Sequence, residues 1–191
     1  MGRILPLRVV CVGTDRSTGD SLGPLVGTML EDAGFPGEVI GNLDEPVHAE
    51  NLSRVLMSLG ESGDSLVLGV DACLGTKSEV GAVMVRPGPL HPGLGVKKKL
   101  PPVGDMHLAG VVNVGGFMEY MVLQNTRLSL VMKMARAISA GIQKADALLR
   151  SASEKRPGPA NERWERELAI LSAPATDVRL SQLLQAYVRK P

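Results

Sequence analysis

Residues 65–71, Ser-Leu-Val-Leu-Gly-Val-Asp, are apolar almost without interruption. A strand that shows one face to water alternates, whereas a run like this suits a central parallel strand covered on both faces. The Val-rich run LRVVCVG at 7–13 also reads as a strand. Helical spacing follows it: Leu22, Leu25, Val26, Met29 and Leu30 predict a helix over 21–33, with Ser21 as N-cap and Gly34 as the stop. A short strand is expected at 38–41. Leu52, Val55, Leu56 and Leu59 predict a second helix over 48–59. The strand at 80–85 comes too soon after residue 71 for a helical crossover, so it is expected antiparallel at an edge. An irregular Pro/Gly-rich loop, 86–105, leads to a last strand at 108–114. Beyond Gly116 the pattern reads as helical to about Arg150, with Leu128, Val131, Ala135, Ile138, Ile142, Ala145 and Leu149 on one stripe. The expected architecture is a three-layer α/β/α sandwich with a mostly parallel sheet and an antiparallel edge strand. It occupies 1–150 as one domain. Residues 151–160 read as a linker, and 162–172 and 177–189 as two short amphipathic helices of a C-terminal tail.

Charge narrows the function classes. The chain has 191 residues, with 21 basic and 20 acidic side chains and a net charge of +1. That balance gives no general attraction to nucleic acid or an acidic membrane. No apolar stretch reaches the roughly 20 residues that span a bilayer, and no signal-peptide apolar region opens the chain. Cys11 and Cys73 lack metal-type spacing and read as small buried hydrophobes with reduced thiols. A cytoplasmic protein is expected.

The chemistry concentrates where strands end. Ligands of open α/β sheets collect at the carboxyl ends of the strands. There the polar loop GTDRSTGDSLGP, 13–24, leaves the first strand, and Asp71 closes the central one. Asp20 stands at the start of a helix, whose free N–H groups favour a carboxylate. Asp71 ends an apolar strand, where desolvation raises a carboxyl pKa. Two carboxyls pushed to different pKa values form a general acid/base couple able to activate water. Sharing a metal instead would need a third ligand, for which His107 is the leading candidate. Thr14, Asp15 and Ser17 in the loop, and His48 with Asp44 and Glu45, are candidates to line the same crevice and contact substrate. Asp105 is a weaker candidate, and His91 is expected in solvent. Lys97, Lys98 and Lys99 read as a solvated charge run or as a clamp for an acidic segment or phosphate. The loop lacks both the P-loop ending and the GxGxxG of a dinucleotide site, and its two aspartates repel anions.

The segments GTDRSTGDSLGPLVG, LDEPVHAENL, DACLG, PGLGVKKKLPPVGDMHLAGVVNVGGFMEY and LQNTRL together resemble the YyaC-like sporulation proteins of endospore-forming bacteria. The resemblance covers about residues 8–150. That family is in turn remotely similar to the germination protease of spores and to hydrogenase maturation endopeptidases. The resemblance implies an α/β peptidase in the cytoplasm of the sporulating cell or forespore, cutting a spore protein with Asp20 and Asp71 as the acid pair. His107 is similar in place to a metal-contacting histidine of the maturation enzymes. No cofactor is expected, with a divalent metal as the exception. A non-catalytic binding or regulatory protein using the same crevice, and a metal-dependent amide or ester hydrolase, are the alternatives.

Overall fold

The computed structural model describes residues 5–59, 65–93 and 100–154. In chain order the elements are β1 (Leu7–Cys11), α1 (Leu22–Asp32), β2 (Glu38–Ile40), α2 (Leu52–Ser58), β3 (Leu66–Gly75), β4 (Val83–Pro87), β5 (Met106–Val114), α3 (Glu119–Gln124) and α4 (Leu128–Glu154). Among the described residues the sheet has five strands in the order β2-β1-β3-β5-β4. The β1–β2, β1–β3 and β3–β5 pairs are parallel, and β4 runs antiparallel to β5 at the edge. This is the mostly parallel α/β sheet expected from the apolar runs.

Two apolar layers hold it. On one face Val9, Cys11, Val70 and Val112 pack against Leu22, Val26 and Leu30 of α1 and Val131, Ala135 and Ile138 of α4. On the other, Val10, Val12 and Val67 meet Leu52 of α2 together with Leu90 and Val103. Leu90 and Val103 bridge each other. Part of the Pro/Gly region expected as plain loop therefore supplies two of the seven buried residues of the second layer.

Helix α1 lies unusually close to the sheet. A Cβ on Gly23 would overlap the carbonyl of Val12, and one on Gly27 the carbonyl of Gly41. Glycine at both points lets the helix backbone rest on the ends of β1 and β2, which fixes the start of α1 against the sheet.

Several boundaries differ from expectation. Strand β3 does not stop at Asp71 but runs on to Gly75, because β5 continues to pair with it after β1 has left. His107 lies inside β5, not in the loop before it. Helix α2 starts at Leu52, and His48 sits in the turn ahead of it. The helix expected from Gly116 onward is two helices. Asn125 breaks it, and the Thr126 hydroxyl turns back to the Val122 carbonyl at 2.9 Å. Helix α4 runs through Glu154, into the stretch read as linker. The tail helices at 162–172 and 177–189 lie outside the described residues.

Candidate active site

The site begins with the way the chain leaves β1. Gly13 has φ +143°, a conformation that L side chains rarely adopt, and an added Cβ there would overlap the Asp20 carbonyl. The Gly13 N–H donates to the Val47 carbonyl at 2.8 Å, and Val12 bridges Val47 in parallel. That pairing extends the sheet beyond β2 and brings His48 beside the end of β1. Loop 14–20 is closed by Thr14 N–H donating to the Asp20 carbonyl at 3.2 Å and Ser21 N–H donating to the Ser17 carbonyl at 3.0 Å. A third tie, Gly19 N–H to the Leu123 carbonyl at 2.8 Å, fastens the loop to α3. Gly19 has no space for a Cβ, because Leu123 and Thr126 occupy it. Ser21 takes the N-cap position, but its hydroxyl donates to the Thr18 carbonyl at 2.7 Å and does not cap the helix.

Asp71 stands opposite Ala109 of β5, one residue past the last β1–β3 pair, Cys11 with Val70. Alternation along the strand puts it on the α2 face with Val67 and Gly69. Ala72 N–H donates to its Oδ1 at 2.7 Å. Despite that bond, burial raises the carboxyl well above its ordinary range, and the Asp20 charge raises it further. Asp20 is also raised, by burial, with His48 pulling the other way. The expectation that the helix start would make Asp20 easily ionised is therefore overturned: desolvation outweighs the favourable end of α1. The two carboxyls and His48 share one electrostatic environment at the end of β1.

His48 is oriented by its own turn. Its backbone N–H donates to Asn51 Oδ1 at 2.8 Å, and its Nδ1 accepts from the Glu50 N–H at 3.3 Å. A cleft of about 590 Å³ opens beside it, with Ile40, Gly41, Glu45 and Arg54 in its walls.

The remaining candidates divide. Thr14 is half-buried, and its Oγ1 accepts from Arg16 N–H at 3.3 Å, while Asp15 is exposed. Ser17 is buried and its Oγ has no protein partner. Asp44 and Glu45 are exposed in a tight turn around Asn42, whose Oδ1 accepts from both of their N–H groups. Asp105 does not join the crevice. Its carboxylate accepts from Val67 N–H at 3.0 Å at the opposite, amino end of β3. His107 lies opposite Gly69, two residues short of the level of Asp71, and its Nδ1 is 2.9 Å from the Gly88 carbonyl. His91 is exposed. Lys97, Lys98 and Lys99 lie outside the described residues. Among the described residues no three His, Cys, Asp or Glu side chains are grouped to hold a metal ion.

Cys73 went unremarked as a neighbour of the acids. It is half-buried, two residues beyond Asp71 on β3, and burial with the Asp71 charge pushes its thiol up to about 11. Helix α3 was missed as the clamp on the acid loop, although Asn125-Thr126 carries the turn-forming residues that separate it from α4.

Residues 6–141 match the family model described as "Protein of unknown function (DUF1256)", a span that includes both acids. The chain belongs to that family. It is 52% identical over 143 residues to the "Uncharacterized protein YyaC" of Bacillus subtilis (strain 168), covering 74% of this chain and 70% of that protein. Among solved structures it is similar to the NiFe-hydrogenase maturation protease HycI of Thermococcus kodakarensis KOD1, with a TM-score of 0.49 and 16% identity over 73% of this chain and 90% of that one. The maturation protease HybD of Thermococcus kodakarensis matches with a TM-score of 0.42 and 12% identity, over 73% of this chain and 99% of that one. No helix among the described residues is long and apolar enough to cross a membrane.

Proposed function

We propose that the chain is a peptidase that uses Asp20 and Asp71 as a paired-acid site to cut a spore protein in the sporulating cell. One observation carries this reading: two carboxyls from separate strand ends are both raised by burial, Asp71 further by the charge of Asp20, while His48 pulls Asp20 back down. Asp71 feels burial and a second negative charge, so it is the group that keeps its proton. Asp20 is relieved by His48, so it is the group that ionises first.

The roles follow from that order. Ionised Asp20 takes a proton from water, and the hydroxide formed adds to the carbonyl carbon of the peptide bond. Protonated Asp71 gives its proton to the leaving nitrogen as the C–N bond breaks. Both carboxyls then hold exchanged states, and a proton passed from Asp20 back to Asp71 resets the pair. His48 is the positioning residue for Asp20. The resemblance to sporulation proteins supports the substrate class.

The test is incubation of the purified protein with spore coat and core extract, followed by a search for new protein N-termini. Parallel arms carry added divalent metal or a chelator. The reading expects new N-termini with wild type and none with Asp71→Asn. Cleavage at an undiminished rate by Asp71→Asn contradicts it. Cleavage abolished by the chelator alone moves the reading to metal-dependent hydrolysis.

A further inference from the structure

Three aromatic residues lie among the described residues, and two of them, Phe117 and Tyr120, stand in solvent within four positions of one another. Phe117 is 80% exposed, Tyr120 64%, Met118 52% and Met121 48%. Aromatic residues make up only 3% of the chain, so this concentration on one surface turn is not a composition effect. Aromatics and methionine are the residues that protein interfaces enrich.

The patch is rigidly mounted. Met118 has φ +50°, unlike any other described non-glycine residue, and its carbonyl accepts from Met121 N–H at 2.8 Å and Val122 N–H at 3.1 Å. Beneath, Asn113 Nδ2 donates to the Val122 carbonyl at 3.3 Å, and the Leu123 carbonyl holds Gly19. The patch holds a single acidic side chain. Glu119 is half-buried, and its Oε1 fills the space beside Gly115. Exposed Gln124, Asn125 and Arg127 follow it as a polar border.

We infer that the turn before α3 and the outer face of α3, centred on Phe117 and Tyr120, form a two-fold interface with a second copy of this chain. Aromatic side chains of roughly 150–250 Å² each, exposed to this degree, together with the two half-exposed methionines, put the exposed apolar area on the order of 500 Å² per copy. Two such patches face to face remove on the order of 1,000 Å², where specific interfaces begin. A two-fold contact requires the patch to meet itself, and with its one acid, Glu119, half-buried toward Gly115 it does so with little like-charge repulsion. The inference does not depend on the peptidase reading. It places the second copy against the helix that clamps the Asp20 loop.

The test is sedimentation of the full chain across micromolar concentrations. Wild type is expected to be a dimer. Phe117→Glu combined with Tyr120→Glu puts charges on the axis and yields monomer, whereas Met57→Glu, at an exposed apolar residue on α2, leaves the dimer intact. Phe117→Ala with Tyr120→Ala removes only exposed side chains, so folding is retained, and it weakens the dimer by at least about tenfold. A wild-type monomer at every concentration overturns the inference. So does a dimer of unchanged strength in both double variants.

Discussion

Asp71 carries the account at the scale of single residues. Its carboxyl is raised in the folded chain, so the native state binds a proton more tightly than the unfolded one. Stability from this group is full below the ordinary carboxyl pKa and is lost as pH rises toward the folded value. Asp71→Asn removes that loss. The variant is expected to melt above wild type at neutral pH, with the difference closing near pH 4, as followed by thermal denaturation across pH. The same substitution is expected to lower peptide cleavage by about 10²–10⁴-fold, the usual contribution of a general acid. A gain in stability together with a loss of turnover separates a working acid from a structural one. The raised Asp71 was legible in the sequence, because an acid closing an apolar run is desolvated wherever the strand lies. The shift at Asp20 was not. The pattern of a helix start shows its N–H groups but not how much protein buries the carboxyl beside them.

Elements position these residues through close backbone contacts. Helix α1 approaches β1 only because Gly23 and Gly27 have no Cβ. Gly23→Val forces the helix off the Val12 carbonyl and is expected to cost about 1–3 kcal/mol, the range of overpacking in a tight core, read as a lowered denaturant midpoint. Gly19→Val is expected to act differently. Gly19 touches Leu123 and Thr126 of the α3 region, so the change pries the acid loop from its clamp and lowers activity more than stability. Paired rate and melting measurements distinguish the two. Strand and helix identities were legible from apolar period alone, and β4 from the short span that precludes a crossover. The break between α3 and α4 was not, since Met121 with Leu128 and Leu123 with Leu130 keep a seven-residue helical spacing across it. Side-chain bonding at Thr126, which period does not encode, ends the first helix. Likewise β3 outruns its expected end because pairing with β5 continues past Asp71.

At the scale of the whole molecule, both apolar layers among the described residues are built between Leu7 and Ile142, close to the family match over 6–141. A chain ended after residue 154 is expected to unfold cooperatively with a midpoint near that of the full chain, checked by denaturant titration. The expectation of one domain ending near 150 rests on the same boundary of apolar stripe and linker composition. The site needs the entire sheet, because β1, β3 and the segment after β2 each deliver one of Asp20, Asp71 and His48. The decisive measurement is therefore made on the intact protein: carbon-detected NMR titration of the Asp20 and Asp71 carboxyls, in wild type and in Asp20→Asn. The account predicts that Asp71 titrates well above the ordinary carboxylate range, later than Asp20, and moves downward when Asp20 is replaced. An Asp71 that titrates as an ordinary carboxylate, or that is indifferent to Asp20→Asn, would contradict it.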